Sequence, residues 1–132
     1  MDSYLILLSI TLLQYTIDPT FYLCSTTRSK VILFIHHIIS IYIMFGGFLL
    51  NPFYHLIFTI TVLIHWITNN NRCQITIINN RECGIDESNQ FQDFLQTLNI
   101  SKVFPNIHWF ILPLLCLLDI YRIQKENVKI TF

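Results

Sequence analysis

Residues 31–71 contain no Asp, Glu, Lys or Arg, and the run is interrupted only by Asn51-Pro52. A hydrocarbon core about 30 Å thick takes roughly 20 helical residues to cross. The run therefore predicts two membrane helices, 31–50 and 52–68, joined by a tight turn, because a helical hairpin satisfies every backbone amide except those at its ends. Upstream, Gln14 is the only strongly polar side chain between Ser3 and Ile17, and the apolar trend resumes after Asp18-Pro19. A first helix over 3–22, bent at Pro19, follows. Asp2 and the lack of a small-residue cleavage pattern argue against a secretory signal. A last span, 103–120, is entered through Phe104-Pro105 and carries Pro113. Between the third and fourth spans lies a polar segment, 69–102. Within it Phe91, Phe94, Leu95 and Leu98 recur at helical spacing, predicting a short amphipathic helix over 87–99 on the membrane surface. The expected fold class is all-α, a single integral membrane domain with four transmembrane helices.

Composition agrees. The 132 residues are 53% hydrophobic and only 12% charged, too apolar for an ordinary soluble domain. A net charge of zero supplies no basic field, so nucleic acid is not an expected partner. The lipid bilayer is, together with other membrane proteins or a second copy of the chain. Alanine is absent while Ile, Asn, Phe and Tyr are abundant. That bias implies an AT-rich source such as a large DNA virus, a protist or an AT-rich bacterium, and a viral source would place the chain in a host or virion membrane.

Four crossings put both termini on one side with Arg122, Lys125 and Lys129, and leave Arg28, Lys30, Arg72, Arg81 and Lys102 on the other. The positive-inside rule weakly favours the longer loops in the cytoplasm. Cys73 and Cys83 pull the other way, since a disulfide between them would need an oxidising compartment. Orientation stays open at this level.

At 1.5 Å per residue, His36 and His37 lie about 8–9 Å below the long-loop end of helix two, His65 about 6 Å and His108 about 9 Å from the same side. His55 stands apart, at the opposite surface. Polar groups facing lipid are costly, so these side chains are expected to turn inward as a polar seam. Converging imidazoles from His37, His65 and His108 would hold a haem, and the set His36, His37, His65 and His108 a transition metal. They would equally serve as a proton or ion path, or simply fix helix packing by hydrogen bonds. Asp119 and Arg122, one turn apart, are expected to form a solvated ion pair. His65-Trp66 and His108-Trp109 suit interfacial anchoring. Asn99-Ile100-Ser101 matches a glycosylation sequon too close to helix four for ready access. No nucleophile–base spacing is present, so no catalytic residue is assigned. Ile75, Ile77 and Ile78 would be poorly placed in water, which predicts that 69–84 folds back over the ends of helices two, three and four as a lid, bringing Cys73 and Thr76 near His65.

The order His37, Gly46-Gly47, His55-Leu56, Cys73-x-x-Thr76, Asn80 and Phe91-x-x-Phe94-Leu95 resembles a family of small uncharacterised bacterial multi-pass membrane proteins. Those carry a His, a Gly-Gly and a Cys-Pro-Leu-Thr motif followed by Glu-Asn. The resemblance spans roughly 30–98, with Cys73, Thr76 and Asn80 as its loop motif. Here Gln74 replaces the proline, Asn79 stands where an acid is usual, and Cys83 is additional. It implies a compact helical membrane domain with a loop folded against it and no established activity. A non-enzymatic structural or assembly role is the leading expectation, with a haem- or metal-binding redox protein and a small channel or proton path as alternatives.

Overall fold

A computed structural model describes residues 2–70, 72–84, 95, 98, 100–104 and 106–126; among them the regular structure is helical, joined by turns and short extended links, with no strand. The first helix, α1 (Ser3–Ile17), starts where the Asp2 carboxylate accepts the Tyr4 amide at 3.1 Å. It stops at Asp18, because Pro19 has no N–H to continue the ladder, and a 3₁₀ turn (Pro19–Tyr22) follows. The second helix, α2 (Thr27–Leu49), begins earlier than the uncharged run. Thr26 Oγ1 accepts the Ser29 amide at 3.1 Å, so the cap, not the first apolar residue, sets the start, and Arg28 and Lys30 are helical. The third, α3 (Pro52–Thr68), matches its expected bounds. Asn51 caps it through the Phe53 amide at 2.9 Å, and Pro52 occupies the first turn.

Within the polar segment, α4 (Gln74–Cys83) ends at Gly84, whose φ of 64° is the left-handed conformation favoured at helix ends. A four-residue piece, α5 (Ile100–Val103), precedes the last helix, α6 (His108–Glu126). The expected span 103–120 is thus displaced toward the C-terminus. Residues 106 and 107 form a turn, and Arg122, donating to both Glu126 carboxylate oxygens at 3.0 Å, carries the helix beyond its apolar portion. The amphipathic helix expected over 87–99 lies outside the described residues, except that Leu95 is helical and 4% exposed and Leu98 is in a turn.

The long α2 is the hub: α1, α3, α4 and α6 all pack on it, and α3 also packs on α6. Tyr15 of α1 donates its hydroxyl to the Lys30 carbonyl at 3.2 Å. A modest apolar core, Ile43, Leu112 and Leu115 with Phe58, Val62 and Trp66 against it, fills the space between α2, α3 and α6. Elsewhere the interior is polar. In α1 the fully buried side chains are Thr11 and Gln14, while Leu5, Leu8, Leu12, Leu13 and Ile17 face outward. Adjacent residues make the point: Leu13 is 62% exposed and Gln14 is 3% exposed. Among the described helices, α2 is the one that is both long and apolar enough by length and composition to cross a membrane; α1 and α3 are shorter apolar helices.

Candidate functional site

The polar segment forms a roof. Cys83, in the last turn of α4, is bonded to Cys24, in the connection before α2, with Cα atoms 4.8 Å apart. This corrects the expected Cys73–Cys83 bridge. Because 73–83 is helical, those residues are separated by about 15 Å of axial rise, well beyond the roughly 7 Å a disulfide spans. Cys73 and Cys116 are unbonded thiols. Around the bridge, Asn79 Nδ2 donates to Cys24 Sγ at 3.7 Å and the exposed Arg28 approaches Glu82 at 3.5 Å.

Two further contacts tie the roof to the helices beneath it. Thr76 Oγ1 lies 3.3 Å from His36 Nε2, and the backbone N–H of Gln74 donates to His65 Nε2 at 3.3 Å. The lid expected from 69–84 over helices two, three and four is met in part: 74–83 is a helix packed on α2 that reaches α3 through Gln74, Thr76 meets His36 rather than His65, and Ile75 and Ile77 are half-buried while Ile78 is 39% exposed. Of the loop motif, Asn80 is buried and Cys73 half-buried. Asn99 lies outside the described residues.

Beneath the roof is a cavity of about 320 Å³ between α2, α3, α4 and α6. His36, His65 and His108 line it together with Cys73, so three of the histidines expected to converge do so. Trp66 stacks edge-on against both His108 and Trp109. His37 does not join them. One residue along a helix is about 100° around it, and His37 points to the far face of α2, where Nε2 meets Asp18 Oδ2 at 2.9 Å with both side chains fully buried. This removes His37 from the expected haem and metal sets. Among the described residues no three His, Cys, Asp or Glu come together to hold a metal ion. Nε2 of His65 is already an acceptor for a backbone N–H, which occupies the lone pair a metal would need.

A second buried pair sits at the opposite end. His55 Nδ1 is 2.6 Å from Asp119 Oδ2, and His55 Nε2 is 2.9 Å from the Ile43 carbonyl. A carbonyl only accepts, so Nε2 carries a proton. The short contact to Asp119 then needs a second proton, on Nδ1 or on the carboxyl, and either way the couple is neutral as a unit. Asp119 therefore does not pair with Arg122, correcting the expected surface ion pair. The Arg122 guanidinium instead donates to the Gly47 carbonyl and to Glu126. Hydrogen bonding from Arg122 holds the exposed Glu126 carboxyl below its ordinary 4.5. Gly46 and Gly47 permit this junction: a Cβ on Gly46 would lie 2.8 Å from His55 Cδ2, and one on Gly47 would lie 2.8 Å from His55 Nδ1 and collide with Asp119 Oδ1.

Asp18, Gln14, Cys24 and Asn79 were not singled out from the sequence as interior groups. The available signal was depth, since an acid at the end of the first apolar run faces the same end of the bundle as His37. Taken together the geometry defines a helical protein with a polar interior, a roofed cavity and two sealed His–Asp couples. No protein-family model matches the chain, and comparison with curated proteins and with solved structures found no match.

Proposed function

We propose that the chain is a multi-pass integral membrane protein with a structural or assembly role, in which α1, α2, α3 and α6 cross the bilayer and α4 closes one end. The observation that carries the reading is the inverted distribution of side chains: leucines outward and Thr11, Gln14, Asp18, His37, His55 and Asp119 inward. In water, leaving so many large apolar groups half or more exposed forfeits about 1.5–3 kcal/mol for each one that burial would fully cover. In lipid the same arrangement costs nothing on the outside, and interhelical hydrogen bonds hold the inside. The 17 residues of α3 rise about 25 Å, short of a 30 Å core by an amount that local thinning accommodates.

The Cys24–Cys83 bond supports an orientation with the roof in an oxidising compartment and both ends of the described chain in the cytoplasm. Both His–Asp couples are shut off from any substrate, which favours a packing role over catalysis. Membership of the multi-pass family that the motifs resemble fits this reading, because His37, Gly46, Gly47, His55, Thr76 and Asn80 all serve interior contacts or are buried. The test is extraction of membranes with alkaline carbonate, followed by impermeant maleimide labelling of Asp2→Cys and Lys125→Cys. Retention in the pellet with both positions on the face opposite α4 is expected. Release into the supernatant, or Asp2 and Lys125 on different faces, overturns it.

A further inference from the structure

We infer that the roofed cavity is a binding site for an uncharged amphiphile with a short alkyl or ring body. The walls beneath the histidines are apolar: Ile39, Met44, Phe58, Val62, Ile111 and Leu112. The polar groups lie toward one end, against α4, where His36, His65 and Cys73 meet the roof with Ser40 and Thr61 one turn below the histidines. A ligand matching this gradient has its polar end under α4 and its apolar body toward the middle of the bundle. At about 320 Å³ the space lies at the small end of ligand pockets and has room for roughly ten water-sized groups.

Charge narrows the class. Among the described residues no Lys, Arg, Asp or Glu lines the cavity. His65 Nε2 accepts the Gln74 backbone N–H, so that nitrogen is not offered as a donor to an anionic head. An ionised carboxylate, phosphate or ammonium head would enter without a counter-charge, at the price of its hydration. A hydroxyl or carbonyl head loses far less, and His36, His108 and the Cys73 thiol are at hand as weakly polar neighbours. The shared chemistry is an uncharged head on a short apolar body, whether the source is a fragment-sized lipid or a free alcohol or ketone.

The inference rests on the membrane reading above, and the experiment separates the two. Full-length protein in phosphatidylcholine nanodiscs is photolabelled with a diazirine-bearing octanol, and the adducts are mapped by mass spectrometry. Saturable labelling of the peptides carrying Met44, Val62 and Cys73, lost on adding 1-decanol and retained on adding decanoate or decyltrimethylammonium, is expected. Labelling of the lipid-facing Leu8 and Leu13 stays non-saturable and serves as the baseline. Val62→Phe and, separately, Ile111→Phe fill the cavity and abolish the saturable component. Each is scored only with the Cys24–Cys83 bond intact on a non-reducing gel. Labelling at the cavity no more saturable than at Leu8 overturns the site while leaving the membrane reading standing. Equal competition by decanoate overturns the uncharged class. Saturable labelling that survives both fillings places the probe elsewhere and refutes the site.

Discussion

Removing one member of the His55–Asp119 couple is expected to cost far more than removing both. With His55→Leu alone, the Asp119 carboxylate stays in a site where it is essentially inaccessible to solvent. With Asp119→Ala alone, His55 keeps the Ile43 carbonyl but loses its 2.6 Å partner. Breaking a buried ion pair from one side costs about 3–5 kcal/mol, because the remaining group is uncompensated. In the double variant no charge is stranded, and what remains is the lost bond to Ile43 and a small void, together about 1–2 kcal/mol. The cycle therefore yields a coupling of about 4 kcal/mol or more between residues 64 positions apart in sequence. Reversible unfolding in mixed micelles, followed by far-UV circular dichroism, measures all four corners. Single variants each within about 1 kcal/mol of the parent, adding to give the double, would refute the argument that the junction is a mutually dependent pair.

Cys24→Ser releases α4 from the start of α2, and because the bond closes a 59-residue separation the chain-entropy limit of its contribution is about 4 kcal/mol. Cys73→Ser should leave non-reducing gel mobility unchanged while Cys24→Ser shifts it; a shift with Cys73→Ser would refute the assignment. Gly47→Ala puts a methyl against Asp119 and His55, and overpacking of about 1–3 kcal/mol outweighs the roughly 1 kcal/mol gained in helix propensity, so unfolding should come earlier in the same micelle titration. Thr76→Val removes a hydroxyl from His36 and should lower stability by about 1 kcal/mol, whereas Gln74→Ala, exposed and held through its backbone, should leave it within about half that. Glu126, with its pKa depressed by Arg122, stabilises the folded form at pH above the ordinary glutamate value and loses that contribution as pH falls through the depressed value. Its carboxyl ¹³C shift should titrate below 4.5 and return there in Arg122→Gln, and a midpoint at or above 4.5 in the parent contradicts the pairing.

Local chemistry made parts of the fold legible and tertiary contacts decided the rest. Asn51-Pro52 marks the start of α3 because both residues have one favoured place at a helix N-terminus, and there the boundaries agree. At α2 the uncharged run ends at Val31, but a helix continues to its cap, so Thr26 rather than Val31 sets the boundary. Helical periodicity locates a side chain in depth and angle, which was enough to gather His36, His65 and His108 around one cavity. It does not name a partner on another helix. The local i to i+3 neighbour Arg122 looked sufficient for Asp119 until packing of α3 on α6 buried the acid against His55. The disulfide failed for a related reason: ten residues between cysteines suggests proximity in a loop and separation in a helix, and the Asn-rich composition of 69–80 hid the helix.

The Cys24–Cys83 bond has a consequence for biogenesis. It closes a covalent ring around α2, α3 and α4, with α1 attached outside one end and α6 outside the other. Every residue of that ring leaves the ribosome before α6 does, so the ring is able to lock while the last helix is still being made. What α6 then meets is a finished surface in which the two glycines have already left a gap beside His55. Asp119 is the group that fills it, so on the membrane reading proposed above an acid that is costly to insert on its own would find its proton partner already in place.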